Sequence, residues 1–276
     1  MKKTIAILLC VVMIFSFAAC SKGSKNNEIT NKKESNILKG FSSPEDMLKK
    51  TFEPILRGKM DWGLFWENYT SETTKNLKFV TKDMFMINMR KKYPVLSNGY
   101  TDFKVTDRQV VDKKTYRVDF TLTFKNSKGE KVNREFTEYV VEQSGEFKLV
   151  YDGIFRWKSF EKDENKNEIS ITQVDIKYGY DKVDIDLTFV NNADMGRFVG
   201  ETSGANMTVK TSEKTYAGKI NAFVIKSGET EVATAVFDEL KGTAKSFELK
   251  NIYEIDKNGK AVFTNDDGIT FSMPLE

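Results

Sequence analysis

The chain has 276 residues, with 43 basic and 40 acidic side chains and a formal net charge of +3 at pH 7. It contains no histidine and only two cysteines, which excludes serine–histidine–aspartate and cysteine–histidine catalytic sites and nearly all zinc sites. The near balance of charge argues against a nucleic-acid-binding protein, since such proteins usually carry a clear basic excess. These features predict a protein that is not an enzyme and that has no catalytic residue, cofactor or metal.

The first 20 residues have the order of parts of an exported protein. Two lysines precede an apolar run from Ile5 to Phe17, and two alanines then lead to Cys20. A charged start, a short apolar stretch and small residues before a cleavage site are typical of a secretory signal peptide. The apolar run is shorter than the roughly 20 residues that a membrane-spanning helix needs, so a permanent transmembrane anchor is the weaker interpretation.

The segment FAAC, which ends at Cys20, resembles the lipobox of bacterial lipoproteins. The resemblance implies that residues 1–19 are a signal peptide and that Cys20 is lipidated through its thiol and becomes the first mature residue. Phe17 departs from the pattern, which usually has Leu or another aliphatic residue there. We therefore expect a lipid bilayer as a partner, with the protein anchored to the cell membrane on its extracytoplasmic face. The alternative is an ordinary secretory signal in which Cys20 is incidental.

The segment behind the cysteine is predicted to be a flexible tether over residues 20–40. It is rich in Lys, Asn, Ser and Glu and has almost nothing apolar to bury, so it lacks the driving force to fold.

Three helices are predicted next. SSPEDMLKKTFEPIL starts with Ser43 as its N-cap and Pro44 at the first helical position, and Pro54 should bend or end this helix. MDWGLFWENYT places aromatic residues at spacings of three and four, which predicts a helix packed on a sheet. The third helix runs from Thr81 and stops before Pro94. Its end, MRKKYP, is either a solvated helix end or a basic patch for a membrane or wall polymer.

Long strands follow the helices. TYRVDFTLTF alternates apolar and polar residues, NSKG is a turn, and KVNREFTEYVVEQ and EFKLVYDGIFRW complete a meander. Helices followed by an antiparallel meander indicate an α+β fold. This order of elements resembles the cone-shaped nuclear-transport-factor-like fold over residues 41–160. The resemblance implies a curved antiparallel sheet that wraps around the first helix and leaves a pocket.

A weak candidate pocket follows from the polar face of the predicted strands. Arg117, Asp119 and Thr121 share one face of the first long strand, and Glu138 lies on the strand expected to pair with it. A buried carboxylate there would be a candidate general base. The competing interpretation is a set of paired charges on a solvated face, and the absence of histidine argues against the enzymatic members of the family.

The second half is predicted to be an all-β immunoglobulin-like sandwich over residues 169–276. Short strands recur there with turns between them, and EKDENKNE at 161–168 is predicted to be a linker because it has no apolar residue. KVDIDLTFVNNAD and SGETEVATAVFD resemble strands of immunoglobulin-like domains in bacterial surface lipoproteins. Asp184 and Asp186 raise the question of calcium, but their alternation predicts the polar face of a strand.

The predicted function is a non-enzymatic binding or scaffolding module at the bacterial envelope, with an envelope protein or wall polymer as its partner and no nucleic acid. Two alternatives remain open from the sequence. One is a small-molecule-binding protein or carboxylate-dependent enzyme that uses the pocket of the first domain. The other is a self-associating structural spacer.

Overall fold

A computed structural model describes residues 40–94, 100–126, 128–199, 206–256, 258–262 and 268–275. The predicted signal peptide, the lipidated Cys20 and the tether up to residue 39 lie outside this range. The chain from Ser43 onward forms one compact unit. Within the described ranges, no helix has both the length and the apolar character that crossing a membrane requires.

Short helices occupy the start of the compact unit: α1 Pro44–Leu56, α2 Trp62–Tyr69, α3 Glu72–Lys75 and α4 Lys82–Lys92. The predicted N-cap Ser43 is confirmed, because its Oγ accepts a hydrogen bond from the Asp46 N–H at 3.1 Å. The structure adds a cap at the predicted start of the third helix, where Thr81 Oγ1 accepts a hydrogen bond from the Met84 N–H at 3.2 Å. Such side-chain acceptors satisfy N–H groups that have no partner inside the helix. The stop of α4 before Pro94 is also confirmed.

The smaller sheet has four antiparallel strands in the order β1–β2–β3–β4. Their bounds are β1 Tyr100–Asp112, β2 Thr115–Lys125, β3 Lys131–Gln143 and β4 Glu146–Val150. Strands β2 and β3 confirm the two long strands read from the alternating sequence. A short 3-10 turn, Tyr151–Gly153, follows β4 and leads out of this sheet.

The larger sheet has eleven strands, with the order β11–β8–β13–β9–β10–β12–β7–β6–β5 and with β14 and β15 paired to β13. The bounds are β5 Ile154–Lys166, β6 Ile169–Gly179, β7 Val183–Asn191, β8 Arg197–Val199, β9 Met207–Thr211, β10 Thr215–Ile220, β11 Phe223–Ile225, β12 Thr230–Phe237, β13 Ala244–Ile255, β14 Ala261–Val262 and β15 Ile269–Pro274. The strands of this path bury one shared apolar core, which makes this part of the chain sandwich-like.

Strand β10 changes its pairing partner partway along its length. Its first residues, up to Gly218, pair with β9, whereas Lys219 and Ile220 pair with β12. A Cβ atom at Gly218 would lie 2.4 Å from the ring of Phe237. Any larger residue would force the buried Phe237 ring to move, so glycine is favoured where this strand changes partners.

The predicted fold class, an α+β cone-like domain followed by a separate immunoglobulin-like sandwich, is wrong. The described chain is mostly β, with short helices and two antiparallel sheets of four and eleven strands. The strand EFKLVYDGIFRW, expected to close the first domain, is divided between the sheets: β4 ends the small one and β5 begins the large one. The large sheet therefore starts within the segment that we had assigned to the cone.

The predicted linker at 161–168 is also corrected, because residues up to Lys166 continue strand β5. This strand pairs with β6 from Ile154 opposite Gly179 to Lys166 opposite Ile169. Strand β5 is the last strand of the large sheet's path. A strand in that position is exposed along one side and tolerates charged residues, so the lack of apolar residues did not mean a lack of structure.

The interior between the helices and the small sheet is filled with aromatic rings. Phe52 of α1 packs edge-on against Trp62 and Phe65 of α2, and also against Tyr93 and Phe120. All five side chains are at most 2% exposed. The space under the sheet, where the resemblance implied a pocket, is therefore packed core.

Candidate ligand-binding cleft

A cleft of about 480 Å³ opens beside this aromatic core. Its walls come from α4, from β3, from the 3-10 turn Tyr151–Gly153 and from the hairpin that joins β6 to β7. Apolar side chains, among them Phe79, Val80 and Ile154, line it together with lysines, aspartates and tyrosines.

A buried ion pair lies at the wall formed by α4 and β3. Glu138 lies opposite the buried Val118 of β2, so its side chain is on the inner face of the small sheet and is only 1% exposed. Its Oε1 accepts a hydrogen bond from the Tyr93 hydroxyl at 2.5 Å and lies 2.6 Å from Nζ of Lys92. Lys92 thus lies between the buried carboxylate and the cleft that it lines.

Burial raises the pKa of Glu138, and Lys92 and Tyr93 offset only part of this rise. Burial by itself would lower the pKa of Lys92, but the charges and hydrogen bonds of Glu138 and Asp152 raise it above its usual value. Lys92 is therefore held in its charged form at the cleft.

Asp152 lies on the other side of Lys92, with its Oδ1 3.8 Å from the ammonium and its side chain 45% exposed. Its φ of 48° is unusual for a non-glycine residue. The preceding Tyr151 accepts a hydrogen bond from Asn88 of α4 at 2.8 Å, which ties the turn to the helix. Burial, with a smaller effect from Asp152, raises the pKa of Tyr151 to about 12.

A second charged cluster lies where β2 and β3 meet the β6–β7 turn. Arg117 lies between two carboxylates, with its Nε 3.2 Å from Asp119 and its Nη1 3.3 Å from Asp181. The Tyr139 hydroxyl also donates to Asp181, and Thr137 donates to Asp119 at 2.5 Å. Burial and then Asp181 raise the pKa of Tyr139. The bonds of Arg117 and Tyr139 to Asp181 connect the small sheet to the large one.

The structure divides the four predicted pocket residues between two faces of the small sheet. Arg117 and Asp119 are bonded to each other, and Thr121 follows on the same face opposite Glu135. Glu138 lies on the opposite face, next to the aromatic core. The four residues therefore do not form a single pocket.

The cleft instead uses residues that sequence reasoning did not combine. Lys92 belongs to MRKKYP, for which the sequence indicated a helix end or a basic patch, and Asp181 lies in the turn between β6 and β7. Asp152 gave no sequence signal. These residues come from separate segments, and only the fold brings them together.

The aspartates considered for calcium are used in ion pairs. Asp184 Oδ2 lies 2.9 Å from Lys182, and Asp186 Oδ2 lies 2.5 Å from Lys177. Thr234 donates a further hydrogen bond to Asp186 at 2.7 Å. Across the part of the chain that the structure describes, no three Asp, Glu, Cys or His side chains are grouped as a metal ion would require.

Comparison with known proteins gives no further guide, because neither a family model nor a curated protein matches this chain.

Proposed function

We propose that this protein is a lipid-anchored protein of the bacterial envelope that binds a small polar molecule in the Lys92 cleft and does no chemistry on it. The observation that carries the binding function is the cleft itself. Its volume of about 480 Å³ falls within the roughly 300–1,000 Å³ that is usual for small-molecule sites. Its walls combine apolar side chains with several charged groups, which suits a polar ligand.

The absence of chemistry is proposed from the state of the charged groups. Glu138, whose raised pKa would suit a general base, is enclosed by Lys92 and Tyr93 and is 1% exposed. A base must come within hydrogen-bond reach of the proton that it removes. The buried carboxylate is therefore better explained as the group that fixes Lys92.

The envelope location is proposed from the segment FAAC and the predicted lipidation of Cys20. More than one lipid chain gives stable membrane anchoring. An anchored binding module would present the cleft to molecules outside the membrane. Besides the ligand of the cleft, we expect an envelope protein or a wall polymer as a macromolecular partner.

Anchoring is tested by expressing the full chain in a bacterial host that is fed an alkyne-labelled fatty acid. We expect the wild type to carry the label and to be found in the membrane fraction. Cys10→Ala, which changes the other cysteine of the chain, should behave in the same way. Cys20→Ala should carry no label and leave the membrane fraction. Equal labelling of both variants would contradict lipidation at Cys20.

Binding is tested by filling the cleft. Met84 lines the cleft and is 46% exposed, so Met84→Trp can place a ring in the cleft with little effect on the core. Ile87→Trp is the matched control, since Ile87 is on the same helix and is 50% exposed but does not line the cleft. A library of small polar compounds is screened by saturation-transfer NMR against the full chain in detergent. Compounds that bind wild type and Ile87→Trp but not Met84→Trp would support the proposal, and compounds that bind all three equally, or no binding at all, would contradict it.

A further inference from the structure

We infer that the ligand of the cleft carries an organic ammonium group, which lies between Asp152 and Asp181. This inference rests on the proposed binding function and specifies the chemistry of its ligand. It follows from the excess of carboxylates over cations in two ion-pair clusters at the cleft.

Two clusters at the cleft have the same composition, one cation shared by two carboxylates. In the first, Lys92 lies 2.6 Å from Glu138 and 3.8 Å from Asp152. In the second, Arg117 lies 3.2 Å from Asp119 and 3.3 Å from Asp181. With the carboxylates ionised, each cluster has one negative charge in excess.

The excess charge of each cluster is accessible from the cleft. Asp152 and Asp181 are 45% and 42% exposed, and both line the cleft. Glu138 is buried, and Asp119, 22% exposed, is not among the lining residues. A ligand in the cleft therefore meets the more exposed carboxylate of each cluster.

The remaining lysines of the cleft do not offer a free positive charge. Lys177 lies 2.5 Å from Asp186, and Lys182 lies 2.9 Å from Asp184. An anionic ligand would have to compete with these carboxylates for every lysine that lines the cleft. A cationic ligand meets carboxylates that share one cation between two, Asp152 with Glu138 on Lys92 and Asp181 with Asp119 on Arg117, so its charge is opposite to the excess charge of each cluster.

The walls suit the rest of an alkylammonium compound. Tyr139 and Tyr151 also line the cleft, and the Tyr139 hydroxyl donates to one of the two carboxylates, Asp181. Val80 and Ile154 provide apolar surface for a hydrocarbon chain. Carboxylates beside apolar walls thus match an ammonium head on a short alkyl stem.

The inference is tested by calorimetric titration of the full chain in detergent with matched probes. Nα-acetyl-lysine amide represents an ammonium on a side chain, and 1,5-diaminopentane represents a free amine. Nα-acetyl-norleucine amide ends in a methyl group in place of the charged end, and Nα-acetyl-glutamate amide ends in an anion. We expect one or both amines to bind at least about tenfold more tightly than the norleucine and glutamate compounds, since a hydrogen-bonded charge contributes about this much. The ammonium could come from a lysine side chain or from a free amine, and the probe that binds more tightly identifies which of these two sources the cleft prefers.

Substitutions locate the ammonium. Asp152→Asn and Asp181→Asn should each weaken amine binding by about tenfold, whereas Asp163→Asn, an exposed site on β5 outside the cleft, should leave it unchanged. Asp152→Asn is the main test, because Asp181 also accepts the Tyr139 hydroxyl and its loss affects the fold more. Equal binding of the norleucine or glutamate compound, or full amine binding by Asp152→Asn, would overturn the inference.

The outcome separates this inference from the binding function on which it rests. Compounds without a cation that bind the wild type and are excluded by Met84→Trp would overturn the ammonium ligand and leave the cleft as a binding site. The absence of any compound that Met84→Trp excludes would overturn both.

Discussion

The ammonium of Lys92 lies 2.6 Å from Glu138, a carboxylate that is 1% exposed and that also accepts the hydroxyl of Tyr93. The helix α4 and the strand β3 are thereby joined by an ion pair at the edge of an aromatic core. An ion pair in this position costs free energy to desolvate, and removal of one partner leaves the other charge buried.

We therefore predict that Lys92→Met lowers the free energy of unfolding by about 2–4 kcal/mol, somewhat less than for a fully enclosed pair because Lys92 is 31% exposed. Adding Glu138→Gln to Lys92→Met should recover part of this loss, because the uncompensated charge is gone. Urea unfolding of the single and double variants measures both effects. Lys91→Met is the control on the exposed neighbour and should change stability by less than about 0.5 kcal/mol. A double variant that is less stable than Lys92→Met would contradict the explanation.

The raised pKa of Glu138 predicts a pH dependence with a definite sign. Since burial raises this pKa above the usual 4.5, the folded state binds more protons than the unfolded state between 4.5 and the folded pKa. The contribution of Glu138 to stability is then complete below pH 4.5 and decreases as the pH rises through the folded pKa. Lys92 does not change charge in this window, because its own pKa is raised above 10.5.

The measurement is the free energy of unfolding of wild type and Glu138→Gln from pH 4 upward. We expect the difference between the two proteins to shift in favour of Glu138→Gln as the pH rises, since glutamine does not titrate. A constant difference, or a shift in favour of the wild type, would show that the pKa of Glu138 is not raised.

Short-range signals were sufficient to predict the elements that they specify. The cap Ser43, the helix start at Thr81 and the alternating strand β2 depend on residues within a few positions of one another, and their physics is local. The charged continuation of strand β5 over residues 161–166 was missed because its charged residues satisfy a sheet edge, and edge exposure is a property of the whole sheet. The same limit explains why the boundary at residue 160 falls inside a strand.

The candidate site was harder to predict, because its geometry depends on contacts between distant segments. On β3, Phe136 and Tyr139 are three positions apart, so their side chains lie on opposite faces of the strand. The apolar residues therefore do not mark a single inner face, and alternation alone did not decide which face Glu138 occupies. Asp152 and Asp181 lie on turns with no recognisable motif. Asp152 meets Lys92 only when α4 packs on the small sheet, and Asp181 meets Arg117 only when the two sheets are assembled.

A third prediction concerns the turn that borders the cleft. Burial raises the pKa of Tyr151 to about 12, above the usual value of about 10. In a spectrophotometric titration, the difference between wild type and Tyr151→Phe should therefore show one phenol that ionises near pH 12. The neutral phenol contributes stability that is present below pH 10 and is lost as the pH rises through about 12. A difference curve with its midpoint near 10 would show that Tyr151 is solvated.

The last prediction concerns Gly153, which brings the chain from the small sheet to the large one against the ring of Tyr139. Its φ is +67°, and a Cβ atom would lie 2.7 Å from that ring. Gly153→Ala should therefore lower the free energy of unfolding by about 2–4 kcal/mol, the sum of left-handed backbone strain and overpacking. Gly145→Ala is the matched control, since its φ is +78° but nothing lies within 4 Å of the added atom, so it should lose only about 1–2 kcal/mol. Urea unfolding measures both variants. Equal losses would mean that the approach of the turn to Tyr139 does not constrain residue 153, whereas the expected larger loss at Gly153 would show that this contact fixes the turn carrying Asp152.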